Sequence, residues 1–256
     1  PLDANMQIMA KFEIGDGNFD IEVGVDPDYE ALEMKVGSYI NAEGRVVRDA
    51  ADAVGIVFKM EAIGSDVPAN YPVALQGKTI VGYAVAIENV ATGRQTLNTE
   101  LLTTLAETAA GMTNGTQTTD VLLTGLGDVA FKTTYEKWVG EHALASENLS
   151  AWYIPTLSQL SAFMGTLFTM KEVPATGSED FKNIPEFEFV NGKMFDRTPI
   201  NTVNYASSTI NNQNNVSGVR INVTDGAVTN AQEAGISVKA ALNQQALCRP
   251  MITIFK

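Results

Sequence analysis

Two short runs limit the folds open to this chain more than anything else in it. Ala53-Val54-Gly55-Ile56-Val57-Phe58 and Val81-Gly82-Tyr83-Ala84-Val85-Ala86-Ile87-Glu88 are almost wholly apolar. Short apolar runs of this kind mark strands buried on both faces. The two are therefore expected to be central neighbours in one sheet. The rest of the chain has to cover that sheet.

A chain of 256 residues can do so, since this length buries a full core and suits one domain with an appendage. No apolar run reaches the roughly 18–20 residues of a membrane span, so no membrane insertion is expected. The opening Pro1-Leu2-Asp3-Ala4-Asn5 lacks the basic and apolar regions of a signal peptide, and leaves open whether one was removed. A net charge of −13, with 17 basic residues that form no block, argues against a nucleic-acid partner. Cys248 is the only cysteine, which rules out an internal disulfide and a cysteine-based zinc site, and it is expected as a buried, inert thiol. With His142 the only histidine, Ser-His-Asp or Cys-His catalysis is poorly provisioned.

In chain order, residues 6–25 alternate apolar and polar on both sides of Gly15-Asp16-Gly17-Asn18, the pattern of a β-hairpin. A lone hairpin is marginal in water, so this one needs a covering surface on the chain or on another subunit. Asp16, Asp20, Asp26 and Asp28 lack the spacing of a calcium loop and read as a solvated acidic turn. Residues 99–110 fit a helix face, Gly111 to Asp120 reads as a loop with Asp120 as a cap, and 130–149 contains a second helix. His142 is expected as a packed or surface helix residue beside Glu141. Trp152 to Pro155 is extended, and Thr156 or Ser158 caps a helix carrying Leu157, Leu160, Phe163, Met164 and Leu167. Residues 173–199 read as a long loop anchored by its aromatics. Tyr205–Thr209, Gly218–Val223, Gly235–Ala240 and the terminal run then read as a small antiparallel meander.

The ordered set Gly37-Ser38-Tyr39, Gly55–Phe58, Gly82–Ala86, Trp152-Tyr153-Ile154-Pro155-Thr156, Tyr205-Ala206-Ser207-Ser208-Thr209 and Arg249-Pro250 with Phe255 resembles the C-type-lectin-like domain. The resemblance is to versions found in bacterial fimbrial tip proteins and other adhesins, and in phage receptor-binding proteins with variable tips. It implies an α+β, C-type-lectin-like fold over residues 36–256, with small antiparallel sheets, two to three helices and long loops. Residues 1–35 then form an N-terminal β-hairpin arm for docking or oligomerisation. It also implies that Ile56–Phe58 lie beside Met251–Phe255. The sequence departs from the family at Ala206, where a tryptophan is usual, and it lacks the Glu-Pro-Asn and Trp-Asn-Asp signatures of calcium-dependent sugar binding. Formylglycine-generating enzymes share the fold but need a cysteine pair, which this chain does not have.

The resemblance implies a non-catalytic recognition protein, displayed outside the cell on a bacterial surface appendage or on a phage particle, that binds a glycan or protein through loops. No cofactor or metal is expected. Asn201, Asn204, Asn211, Asn212, Gln213, Asn214, Asn215 and Asn230 are the candidate ligand-binding residues, with Asn222 nearby. Asparagine offers donors and an acceptor on one short side chain, and it also suits turns, so both readings stay open. Other pilus or virion subunits are expected at the hairpin, in a homo-oligomer or a larger assembly. The alternative is a structural virion or pilus component whose fold serves assembly only. An enzyme would have to use carboxylates such as Glu186 and Glu188, which alternate with Phe187 and Phe189 as strand residues do.

Overall fold

The structure is a computed structural model describing residues 8–15, 18–25, 32–91, 95–96, 111–126, 130–169, 202–212, 215–224, 227–237 and 245–256. The fold is α+β. Its centre is a five-stranded antiparallel sheet made of β3 (Tyr39–Ile40), β4 (Val46–Val47), β5 (Gly55–Lys59), β6 (Ile80–Ala86) and β12 (Met251–Phe255), in the order β12-β6-β5-β3-β4. The two apolar runs are β5 and β6, and they are neighbours, with Ile56 opposite Val85 and Val57 opposite Ala84.

Alternation along these strands sends side chains into two separate cores. Ile56, Phe58, Tyr83, Val85, Met251 and Phe255 face one core. Ile40, Val57, Ala84, Ala86, Ile252 and Ile254 face the other. This is why the strands carry unbroken apolar runs: neither face meets water. A turn over Asn41–Gly44 joins β3 to β4. Gly44 closes it at φ +77°, a left-handed conformation that glycine adopts without a Cβ clash.

One expectation fails here. Ile56–Phe58 do not lie beside Met251–Phe255, because β6 sits between them, with Ile252 opposite Ala84 and Thr253 opposite Tyr83. The free edge of β12 is taken instead by residues 148–153. Tyr153 and Met251 exchange backbone hydrogen bonds of 3.0 and 2.9 Å, and the Ser150 N–H donates to Thr253 O at 2.9 Å.

Helices cover both faces. The short α1 (Val73–Gln76) buries Leu75. α2 (Gly115–Leu126) and α3 (Ala130–Glu141) supply Leu122, Leu126, Phe131, Tyr135 and Trp138 to the second core. α4 (Leu157–Thr169) supplies Leu160 and Phe163 to the first. The expected helix start at Thr156 is a reciprocal capping box: Thr156 Oγ1 accepts the Gln159 N–H at 3.3 Å, and Gln159 Oε1 accepts the Thr156 N–H at 3.0 Å. Asp120 does not cap a helix. It lies inside α2, whose first turn is capped by Asn114 Oδ1 accepting the Gln117 N–H at 3.0 Å.

The expected meander is present and longer than its sequence signal. β8 (Thr202–Asn212), β9 (Asn215–Thr224) and β10 (Ala227–Ser237) form an antiparallel sheet in the order β10-β9-β8. β7 (Gln95–Thr96) and β11 (Gln245–Ala246) make a small pair, and β11 leads to Leu247, which bridges to Tyr205 in β8. The terminal strand belongs to the five-stranded sheet and not to the meander.

Near the N-terminus, β1 (Ile8–Gly15) and β2 (Asn18–Val25) form the expected hairpin. Ile8, Ala10, Phe12 and Ile14 stand opposite Val25, Val23, Ile21 and Phe19, so the apolar positions of both strands fall on the same rows. The expected helix at 99–110, the loop at 173–199, and Asp16, Asp26 and Asp28 lie outside the described residues.

Candidate recognition surface and its buried frame

Two of the motifs that carry the resemblance, Trp152–Thr156 and Tyr205–Thr209, are bonded to each other. Ser208 Oγ donates to Ile154 O at 2.8 Å, the Ser208 N–H donates to Pro155 O at 2.8 Å, and Thr209 Oγ1 accepts the Leu157 N–H at 2.9 Å. Ser207 Oγ ties β8 to β9 by donating to Ser217 O at 2.8 Å. Ser207 and Ser208 are fully buried. Serine and threonine suit these positions because each hydroxyl satisfies a main-chain group that a tight approach would otherwise strand. The Trp152–Thr156 segment and the Tyr205–Thr209 segment thus form one joint, to which α2 adds Thr118 and Thr119.

Behind the joint lies a hydrogen-bond chain whose direction is fixed by its ends. The Gln159 amide can only donate to the Tyr153 hydroxyl (3.2 Å), and the Asp66 carboxylate can only accept from Tyr71 (2.5 Å). Between them, Tyr153 O–H donates to Thr253 Oγ1 (2.9 Å), and Thr253 O–H donates to Tyr71 (2.7 Å). Asp66 is buried. Its Oδ2 also accepts from Tyr83 (2.7 Å), and its Oδ1 accepts from Asn114 Nδ2 (3.1 Å). Burial, and then the nearby Tyr153 and Asp66, push the Tyr71 hydroxyl far above the usual tyrosine range. Burial and then Asp66 do the same to Tyr83. Both remain neutral donors, so neutral hydrogen bonds satisfy the buried carboxylate. This network ties the loop before α1 to β6, β12, α2 and α4. It is internal and serves as frame.

Other side chains weighed in the sequence also take structural places. Cys248 is buried, and burial pushes its thiol well above the usual range, which suits an inert packed residue. Arg249 is buried and donates to Ala86 O at 3.0 Å; burial lowers its pKa, while Tyr205 and then Glu88 act in the opposite direction. His142 follows the end of α3 and stacks on Trp138 with ring centroids 4.1 Å apart. Its Nε2 lies 3.1 Å from a Glu88 carboxylate oxygen, and Glu141 pairs with Lys137 at 3.7 Å. The Trp152 indole N–H donates to His142 O at 2.7 Å, so this corner locks α3 onto the joint. No group of three or more His, Cys, Asp or Glu side chains placed to hold a metal occurs among the described residues. No helix among them is long and apolar enough to cross a membrane. Glu186 and Glu188 lie outside the described residues.

The candidate asparagines do not form one cluster. Asn212 pairs with Asn215 at the β8–β9 connection, with Asn211 adjacent in β8. At the other end of the sheet Asn204 stands opposite Arg220, and Asn222 lies between Thr202 and Asn230. Eight residues of strand separate Asn204 from Asn212, about 25 Å at the usual rise. Asn201, Gln213 and Asn214 lie outside the described residues. Each end stands next to a buried residue, since Tyr205 follows Asn204. Val216, next to Asn215, is fully buried, so the tip leaves the core within one residue of a fixed point. The segment read as an asparagine-rich loop is a hairpin tip between two long strands. Of the long-range contacts that make the frame, centred on Asp66 and Thr253, the sequence signals only Thr253, a polar residue inside an apolar run.

No family model, no curated protein and no solved structure matches the chain.

Proposed function

We propose that residues 36–256 form a C-type-lectin-like domain and that the protein is a non-catalytic recognition protein of a bacterial surface appendage or phage particle. In this reading it binds a glycan or protein outside the cell. The observation that carries the proposal is the joint. The Trp-Tyr-Ile-Pro-Thr and Tyr-x-Ser-Ser-Thr segments, which bear the resemblance, are hydrogen-bonded to each other through Ser208 and Thr209, and the asparagine-bearing tip leaves directly from that joint. A buried frame that holds a polar connection between strands suits recognition, because binding residues sit on connections positioned by a rigid scaffold and preorganisation lowers the ordering cost.

The hairpin β1–β2 supports the accompanying reading of an arm that docks on another subunit. Its apolar residues share rows across the two strands, a pattern that calls for a covering surface. The test is binding of the full chain to a glycan array and to bacterial cells, alongside its assembly state. Specific, saturable binding is the expected result. Strong self-assembly with no binding on either platform would favour the assembly-only role.

A further inference from the structure

Charge is divided very unevenly along this chain. Residues 1–35 hold nine acidic and two basic side chains, a net charge of −7. The other 221 residues hold 21 and 15, a net charge of −6. The short N-terminal arm therefore carries more than half of the total of −13. An asymmetry of this size bears on which partners a segment attracts and which it repels.

The register of the hairpin sorts that charge from the apolar positions. Its four apolar rows alternate with the rows Lys11–Glu22 and Glu13–Asp20. Successive residues of a strand belong to opposite faces, so the ribbon has an apolar face and a charged one. Glu13 stands opposite Asp20, a like-charge pair that destabilises a ribbon unless a cation lies close by. Lys11 is the one basic residue in these rows, and it stands opposite Glu22. In sequence, further acids flank the ribbon: Asp16 between β1 and β2, and Asp26 and Asp28 after Val25.

Three surfaces could cover the apolar rows: the rest of this chain, the arm of a second copy, or a different polypeptide. Among the described residues β1 and β2 pair only with each other. The rest of the chain is itself acidic, at −6. A second arm would bring −7 against −7, with packed sheets standing about 10 Å apart. That spacing is about one Debye length at physiological salt, so the repulsion is felt. Charge disfavours the first two and favours a cationic third.

We propose, building on the reading of residues 1–35 as a docking arm, that its partner is a different polypeptide whose docking surface is apolar at the centre and rimmed by lysine or arginine. The rim supplies the cations that the Glu13–Asp20 row lacks. The same charge speeds encounter with a basic partner and keeps copies of this chain apart.

The test uses the full chain and two synthetic strand-forming peptides, alternating Leu-Lys and alternating Leu-Glu, with binding read by fluorescence anisotropy. The Leu-Lys peptide is expected to bind at low salt, and the Leu-Glu peptide is not. Glu13→Gln with Asp20→Asn and Glu22→Gln is expected to weaken Leu-Lys binding by about tenfold. Glu43→Gln with Glu61→Gln and Glu147→Gln removes as many charges from exposed positions elsewhere, and is expected to change it by less than about twofold. Phe12→Ser with Ile21→Ser is expected to weaken binding by about tenfold while the melting temperature stays close to wild type. No Leu-Lys binding, equal binding of both peptides, or equal losses from the two charge triplets would overturn the partner's chemistry. So would self-association in sedimentation velocity that the Phe12 and Ile21 substitutions abolish, which keeps the docking arm but makes a second copy its partner. A large fall in melting temperature for that variant would show the arm packed on its own chain, and would overturn the docking reading itself.

Discussion

Asp66→Ala is expected to destabilise the protein by about 3–5 kcal/mol, because it strands several buried donors at once. The carboxylate accepts from Tyr71 and Tyr83 on one oxygen and from Asn114 on the other, and it is 3% exposed. Without it, the hydroxyl chain from Gln159 through Tyr153, Thr253 and Tyr71 loses the acceptor that orients it. Each stranded donor costs about 1–3 kcal/mol, partly recovered where the group turns to another partner. Asp66→Asn keeps the volume and an acceptor but points an N–H at a donor, so about half the loss is expected. Tyr71→Phe leaves Tyr83 and Asn114 in place and should cost about 1–2 kcal/mol. Thermal unfolding of the three variants checks the order. For a chain of this size the alanine variant should melt roughly 10 °C or more below wild type. Equal, small shifts in all three would mean that water satisfies Asp66 and that the network does not hold the frame.

Gly115→Ala is expected to be nearly as damaging, by a steric route. A Cβ at Gly115 would overlap the Tyr153 ring and lie 2.6 Å from Ile154 O. Neither neighbour can retreat easily. Tyr153 is 1% exposed, its hydroxyl is held by Thr253 and Gln159, and its backbone is paired with Met251. Ile154 O accepts from Ser208 and Thr119. Overpacking a site this closed costs about 3 kcal/mol, the upper part of the usual range. Gly140→Ala is the control: nothing lies within 4 Å of a Cβ there, and the residue sits in α3, so a neutral or stabilising change of up to about 1 kcal/mol is expected. If Gly115→Ala melted like Gly140→Ala, α2 would not approach the Trp152–Thr156 segment as described.

Both predictions concern contacts that could not be read in advance, whereas the elements they join could. Gly55–Phe58 and Val81–Ala86 announced themselves because a strand covered on both faces has no polar positions to spare. Thr156-Leu157-Ser158-Gln159 announced a helix start through its own short-range hydrogen bonds. Strand order was harder. Apolarity says that β5, β6 and β12 are central but not which lies between the others, and β6 took the place expected for β5 beside β12. Asn114 was passed over as a cap in favour of Asp120, since both precede an apolar run and only the main-chain geometry decides between them. The Asp66 network was illegible for a plainer reason. Tyr71 and Thr253 are 182 residues apart, and in sequence Asp66 stands in a polar, proline-containing loop like any other.

The asparagines show the same limit from the functional side. Composition grouped Asn201 to Asn230 as one recognition segment; the antiparallel register divides them between two ends of a sheet. That division turns one expectation into a comparison. The tip at Asn212 and Asn215 stands beside the buried Val216 and Asn204 beside the buried Tyr205, so both ends are anchored and a binding measurement has to tell them apart.

The most direct measurement sets Ala substitutions of Asn211, Asn212, Asn214 and Asn215 against Ala substitutions of Asn204 and Asn230. Affinity for the array or cell ligand and melting temperature are read for both proteins. The tip variant is expected to lose at least about tenfold in affinity, some 1.4 kcal/mol, with its melting temperature nearly unchanged, while the other variant keeps most of its binding. Unchanged binding with a large fall in melting temperature for the tip variant would contradict it and make these asparagines turn residues of the scaffold.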